Sequence, residues 1–129
     1  MTVRPEHIIQ GSYDYTVESG QEAMEQLLTL DHLPTAVFVA GDNLAVGAML
    51  AMEKNGLSVP DDMSIVGYDD IEMVKYLTPS LTTIRQNTYA LGSRAADMLI
   101  CSIEDGSEAR PQSDQIAVEL VVRGSCKEV

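Results

Sequence analysis

The sequence predicts an α/β fold, a parallel sheet flanked by helices. Short apolar runs alternate with segments of helical periodicity, the order expected of layered α/β proteins. One run, residues 36–40 (AVFVA), is continuously apolar, as a central parallel strand covered on both faces would be. Predicted strands are followed by loops rich in Gly, Asp and Tyr, at the end of the sheet where open parallel folds bind ligands.

Taken in order, residues 7–10 (HIIQ) read as a short strand and residues 11–15 as a turn-rich loop. Ser19 opens a helix, with Glu22 three residues on completing a capping box. Ala23, Leu27 and Leu30 share one face, Met24 and Leu28 widen it, and Pro34 stops the helix near Asp31. After the apolar run, Asp42 is placed to cap a helix that buries Leu44, Ala48 and Ala51 and runs to about Asn55. Asn55-Gly56 ends it with a left-handed residue, and Leu57 closes the cap. Residues 63–68 form the next strand, directly before Asp69-Asp70. A short helix covers residues 71–76 and ends before Thr78-Pro79. Residues 81–84 are extended. Asn87 or Thr88 opens a long helix with Leu91, Ala95, Met98 and Leu99 on one face. A loop at 106–113 and a strand at 115–122 complete the chain.

Composition narrows the function. The chain has 129 residues, 45% of them hydrophobic, which suffices for a core. With one Phe and no Trp, that core must be filled by Met, Ala, Leu and Val. The net charge is −12 and there are 8 Lys and Arg, scattered along the chain, so these residues do not grip nucleic acid or an anionic membrane by themselves. Cys101 and Cys126 fit no zinc or redox spacing and read as reduced thiols. No signal peptide or bilayer-length apolar run is legible, which predicts a cytoplasmic protein. No cofactor and no metal is expected.

If the strands are parallel, three loops share one rim: Tyr13 and Tyr15, then Gly41 and Asp42, then Tyr68, Asp69 and Asp70. An aromatic ring stacks on a sugar or base, a carboxylate fixes hydroxyl or N–H groups, and glycine admits close approach. This chemistry suits a neutral polar ligand better than a phosphorylated one, since no phosphate-cradling loop is present. Each residue has a structural alternative. Asp42 also suits a helix cap, Asp70 a solvated or capping carboxylate, Tyr68 packing at a strand end, and Tyr13 an exposed loop aromatic.

Several ordered motifs carry a family resemblance. Residues 34–42 (PTAVFVAGD) with 45–48 (AVGA) resemble "PTAIFAxND…ALGA". Residues 56–62 (GLSVPDD) are similar to "GLxVPxD", and residues 65–70 (IVGYDD) with 76–86 (YLTPSLTTIRQ) to "SVVGFDD…YxxPxLTTIxQ". Residues 11–20 resemble the entry "GDFxxESG". Together they resemble the C-terminal effector-binding region of LacI/GalR-type transcriptional regulators, a periplasmic-binding-protein-like type I fold of two subdomains with effector between them.

The resemblance implies that residues 1–86 are part of the C-terminal subdomain, and that residues 87–129 supply a helix and a returning strand that cross to the other subdomain. It implies that Asp69 hydrogen-bonds the effector and that Tyr15 stacks on it, with Tyr13 as competitor. Gly41 replaces the family's commoner Asn, removing a contact. It further implies a homodimer, with Met49, Met52, Tyr76 and Leu77 as candidate interface residues, and DNA contact only through a helix-turn-helix that has no counterpart in this sequence. Faces normally buried by the other subdomain would then be covered by self-association, for instance through exchanged elements. The function implied is effector sensing, for a carbohydrate or nucleobase-like molecule, without catalysis. The alternatives are a solute receptor of the same fold and a magnesium-dependent phospho-acceptor using Asp69-Asp70.

Overall fold

The computed structural model describes residues 4–12, 14–104 and 113–128. They divide into two units. The first runs up to Arg85 and resumes at Leu120; the second is Gln86–Glu119. The returning segment from Leu120 on belongs with the first unit. Side-chain chemistry holds it there: Ser125, fully buried, accepts from Thr82 N at 2.8 Å and donates to Ile65 O at 2.6 Å.

The first unit holds β1 (Ala36–Phe38), β2 (Ser64–Asp69) and β3 (Thr82–Arg85), with β4 (Glu119–Val121) next in a sheet of order β1-β2-β3-β4. The first three strands are parallel. Val37 pairs with Ile65, Phe38 with Val66, and Val66 in turn with Thr82. Beyond β4 the chain turns onto β3, where Arg123 N donates to Thr82 Oγ1 and Gly124 N to Ser80 O.

No strand forms at residues 7–10. Pro5 fixes its own φ and starts a 3₁₀ turn, Pro5–His7, in which His7 N and Ile8 N donate to Arg4 O and Pro5 O. Those amides are used locally instead of in a ladder. Ile9 still turns inward onto the core. Without that neighbour, β1 is an edge strand. It is not the doubly covered central strand expected, and Phe38 is 61% exposed on the uncovered face. Its ring meets Tyr68 edge-on at 6.3 Å.

Two helices cover the other face. α1 (Val17–Leu27) starts three residues earlier than expected. Its cap is Thr16, whose hydroxyl accepts from Ser19 N, so the Ser19–Glu22 box is not what begins it. It also ends short of Asp31. Met24 and Leu27 are buried, while Ala23, Leu28 and Leu30 are half-buried. α2 (Asp42–Lys54) is capped by Gly41 and not by Asp42. Its end follows the expectation: Gly56 is left-handed at φ +74°, Gly56 N donates to Glu53 O, and Leu57 N to Met52 O, a Schellman closure.

The helices touch backbone to backbone. A Cβ on Gly47 would lie 1.9 Å from Val17 O, and one on Gly20 would lie 2.1 Å from Leu44 O. The core between helices and sheet is Met24, Leu27, Ala45, Ala48, Ala51, Met52, Met63, Ile65, Val74 and Leu81. Met52 is fully buried there, which removes it from the candidate dimer surface. It lies one turn beyond Ala48, on the face α2 turns to the core. The segment after β2 is a 3₁₀ turn, Glu72–Tyr76, not an α-helix.

In the second unit, α3 (Thr88–Glu104) is opened by Asn87, whose Oδ1 accepts from Ala90 N at 3.0 Å. Arg94 pairs with Asp114 at 2.5 Å. None of its residues is buried, so the expected apolar face of Leu91, Ala95, Met98 and Leu99 lies open or half-open. One helix with an extended tail offers no second layer to bury against. Most of the loop expected at 106–113 lies outside the described residues.

Candidate functional site

The parallel order of β1, β2 and β3 brings the loops that follow β1 and β2 to one rim, beside the loop that leads into α1. Gly41 sits at their junction. A Cβ placed on it would be 3.2 Å from Tyr15 Cδ1 and 3.8 Å from Asp69 Oδ2. Residues far apart in sequence, Tyr15, Gly41 and Asp69, therefore meet as expected. Tyr13 lies outside the described residues.

Each is held by local chemistry. Tyr15 has φ +52°, a conformation rare for a bulky side chain, and its ring is about half exposed. Asp14 steadies the loop: its Oδ1 accepts from Ser12 Oγ at 2.7 Å and from Thr16 N at 3.4 Å. Those hydroxyl and amide donors, Ser12 first and Ser19 next, hold the Asp14 carboxyl below its ordinary range. Gly41 is extended at φ −172°, so space rather than backbone freedom is what it supplies. Asp69 and Asp70 are consecutive residues of positive φ, at +116° and +59°. Backbone strain of this kind concentrates where a site over-determines the chain.

Asp42 does not open onto the rim. It is 0% exposed, its Oδ1 accepts from Thr83 Oγ1 at 2.6 Å, and its Oδ2 accepts from Ile71 N at 2.9 Å. The carboxylate at the start of α2 thus clamps β3 and the loop after Asp70, in a place where the helix dipole favours it. Gly67 makes room for it: a Cβ there would fall 2.3 Å from Asp42 Oδ1.

Asp70 is not a solvated carboxylate either. Its Oδ2 accepts from Arg85 Nε at 2.6 Å and its Oδ1 from Arg123 Nη2 at 2.5 Å, with the Asp70 side chain 9% exposed. Burial pushes its pKa up, but the two guanidinium groups outweigh that and hold it below the ordinary 3.8. Arg123 was not legible as a site neighbour, because nothing in its spacing shows that the chain returns to β3.

A separate cavity of 310 Å³ lies beneath the Tyr15 loop, lined by His7, Ile9, Gly11, Met24, Val39 and Leu44 among others. It shares Tyr15 with the rim but neither Gly41 nor Asp69. Residues 9–12 and 37–40 both contribute to its lining.

Of the remaining dimer candidates, Tyr76 is 72% exposed, with Lys75 Nζ 5.2 Å from its ring centre. Met49 and Leu77 are half-buried against the core. Leu50 and Met73 are the exposed apolar side chains of the same elements.

Comparison with known proteins places this geometry. The family described as periplasmic binding protein-like domain matches residues 2–126. The HTH-type transcriptional repressor PurR of Actinobacillus pleuropneumoniae serotype 3 (strain JL03) is 44% identical over 128 residues, an alignment covering 98% of this chain and 38% of that protein. A LacI-type transcriptional regulator from Bacillus cereus subsp. cytotoxis superposes with a TM-score of 0.88 at 32% identity, over 98% of this chain and 44% of that one. A LacI family regulator from Enterococcus faecium, solved with bound ribose, gives 0.74 at 33% identity, over 92% and 42%.

Proposed function

Because the chain belongs to the periplasmic binding protein-like domain family, in the form carried by LacI/GalR-type regulators, we propose that it supplies one side of an effector site in a bacterial DNA-binding regulator. The carrying observation is the meeting of Tyr15, Gly41 and Asp69 at the carboxyl ends of parallel strands. Tyr15 stacks on the ligand, Asp69 accepts from its hydroxyl or N–H groups, and Gly41 leaves room for close approach. The ligand is neutral and polar, a sugar or a nucleobase-like molecule. Arg85 and Arg123 are both engaged by Asp70, which disfavours their use on a phosphorylated ligand. The bound ribose of the Enterococcus faecium regulator supports the sugar reading.

The role is binding and not catalysis, in the cytoplasm. A magnesium-dependent phospho-acceptor is disfavoured because Asp70 is committed to two guanidinium groups. DNA contact belongs to a helix-turn-helix head outside this sequence, consistent with the net charge of −12. Effector stabilises one arrangement of the two subdomains and so changes the spacing of paired heads. The homodimer forms through the outer face of α2 and the 72–76 turn, with Tyr76, Leu50 and Met73 outward and Met49 and Leu77 behind them.

The test is a thermal-shift and calorimetric screen of D-ribose, D-galactose, adenine and uracil. It uses the regulator carrying this segment and its Tyr15→Ala and Asp69→Asn variants. Binding raises the unfolding midpoint of the wild type by mass action. Each variant weakens binding about 10- to 100-fold, the worth of a stacked ring or a charge-assisted hydrogen bond. Variants that bind every probe as the wild type does would overturn the reading.

A further inference from the structure

We propose that Asp70 is the positioning residue of the site: its carboxylate ties the Asp69–Asp70 turn to the two strand ends at which the main chain leaves and re-enters the first unit. The consequence for sensing rests on the reading of Asp69 as a ligand contact; the clamp itself does not.

Arg85 is the last residue of β3 and the last of the first unit before the chain passes into the second. Arg123 lies three residues after Leu120, where the chain returns. Both reach Asp70, one on each carboxylate oxygen. Arg123 is fixed further. Its Nη1 donates to Leu81 O at 2.7 Å and its backbone N to Thr82 Oγ1 at 2.9 Å, so its head cannot swing away without releasing β3. Asp70 and Arg123 are largely shielded from water, at 9% and 15% side-chain exposure, and ionic hydrogen bonds hold more strongly in such surroundings.

The neighbouring residues make the clamp directional. Asp69 pairs with Arg85 across the β2–β3 ladder, and Ile71 N is held by the buried Asp42. The turn is therefore pinned on both sides of Asp69 at positive φ. A ligand that moves the Asp69 backbone moves Asp70, and Asp70 carries both chain crossings with it. A coupling of this kind needs contact that differs between two states, and the shared carboxylate is the group through which such a difference would reach both arginines.

Hydrogen exchange read by mass spectrometry tests this on wild type, Asp70→Asn, Arg123→Gln, Arg123→Lys and the Asp70→Asn/Arg123→Gln double variant. Asparagine is nearly isosteric and is tolerated at positive φ, so the first substitution isolates the charge. Without ligand, Asp70→Asn and Arg123→Gln each speed exchange about ten-fold in peptides spanning 67–71, 82–86 and 120–124, the worth of a charge-assisted hydrogen bond. Peptides from α1 and α2 stay unchanged. Arg123→Lys restores part of the protection, and the double variant speeds exchange by less than the product of the two single effects, since the Asp70–Arg123 pair is lost in both while Arg85–Asp70 and Arg123–Leu81 O are each lost in one.

With D-ribose or adenine, protection at 67–71 in the wild type extends to 82–86 and 120–124; in Asp70→Asn it stays at 67–71. Exchange equal to wild type in Asp70→Asn, or raised uniformly through α1 and α2, overturns the clamp. If neither probe protects 67–71 in the wild type, the sugar and nucleobase reading loses support, while the ligand-free comparison still decides the clamp.

Discussion

Asp42 and Thr83, 41 residues apart in sequence, meet at 2.6 Å in the interior, where the carboxylate that begins α2 accepts from the hydroxyl of β3. The same carboxylate accepts from Ile71 N, so one buried side chain joins helix, sheet and the loop that carries Asp69 and Asp70. Removing it strands two donors. Asp42→Ala should destabilise the protein by about 3 kcal/mol, because buried donors without partners cost more than the bond itself contributed. Asp42→Asn keeps one acceptor and should cost about half as much. Urea unfolding checks both, and an Asp42→Ala loss below about 0.5 kcal/mol, the scale of an ordinary surface substitution, would mean the clamp is decorative.

Gly47 should tolerate no side chain. Its ideal Cβ meets Val17 O at 1.9 Å, and the obstacle is backbone in a packed helix pair. Gly47→Ala should cost about 3 kcal/mol or more, through forced separation of α1 and α2. Thermal denaturation reads the loss. A variant as stable as the wild type would show that the helices cross farther apart.

Gly41→Ala should leave stability nearly unchanged and act on the ligand. The residue is extended, so alanine fits its backbone, but the added Cβ lies 3.2 Å from Tyr15 Cδ1 and must displace the ring. Affinity for whichever screened ligand binds should fall by about 3- to 30-fold, as for a misplaced contact. Unaltered affinity by calorimetry would remove Tyr15 from the site.

Asp70 predicts a pH signature. Its folded pKa lies below its ordinary value, so the stability it contributes is present above 3.8 and is lost as pH falls through the lower folded value. Wild type should therefore exceed Asp70→Asn in urea midpoint at neutral pH, and the two should converge only on acidification below 3.8. Other depressed carboxylates, Asp62 beside Ser58 among them, titrate in both proteins and cancel in the difference. A gap that stays constant across the acid range would contradict the ion pairs.

Tyr76→Asp should shift the oligomeric equilibrium toward monomer, since the ring is largely exposed and a charge there resists desolvation. Sedimentation equilibrium should show an association constant about ten-fold or more lower for the variant than for the wild type, the scale of an interface anchor. An unchanged association constant would move the interface elsewhere.

The end of α2 and the segments that become β1 and β2 were legible because they rest on local signals. Gly56 at a helix end and Asp69 after an apolar run each announce themselves within a few residues. Local patterns also misled. The run at 36–40 looked covered on both faces, because five apolar residues carry no information about neighbours. Its status as an edge strand depends on Pro5 drawing the amides of His7 and Ile8 into a turn. Met52 and Tyr76 looked alike as interface candidates, yet one is core and the other surface, a distinction of helix phase and packing.

By itself, the sequence determined the α/β class and the short apolar runs that become β1 and β2, since periodicity is written residue by residue, while the family resemblance singled out Tyr15 and Asp69 among the loop residues. Only the tertiary structure decided the roles of Asp42 and Asp70. Both carboxylates were candidates for the solvent side. Their hydrogen-bond partners Thr83, Arg85 and Arg123 lie 15 to 53 residues away and reach them only after the strands pair. The work of a carboxylate depends on what donates to it, and donors from distant segments become neighbours only through folding.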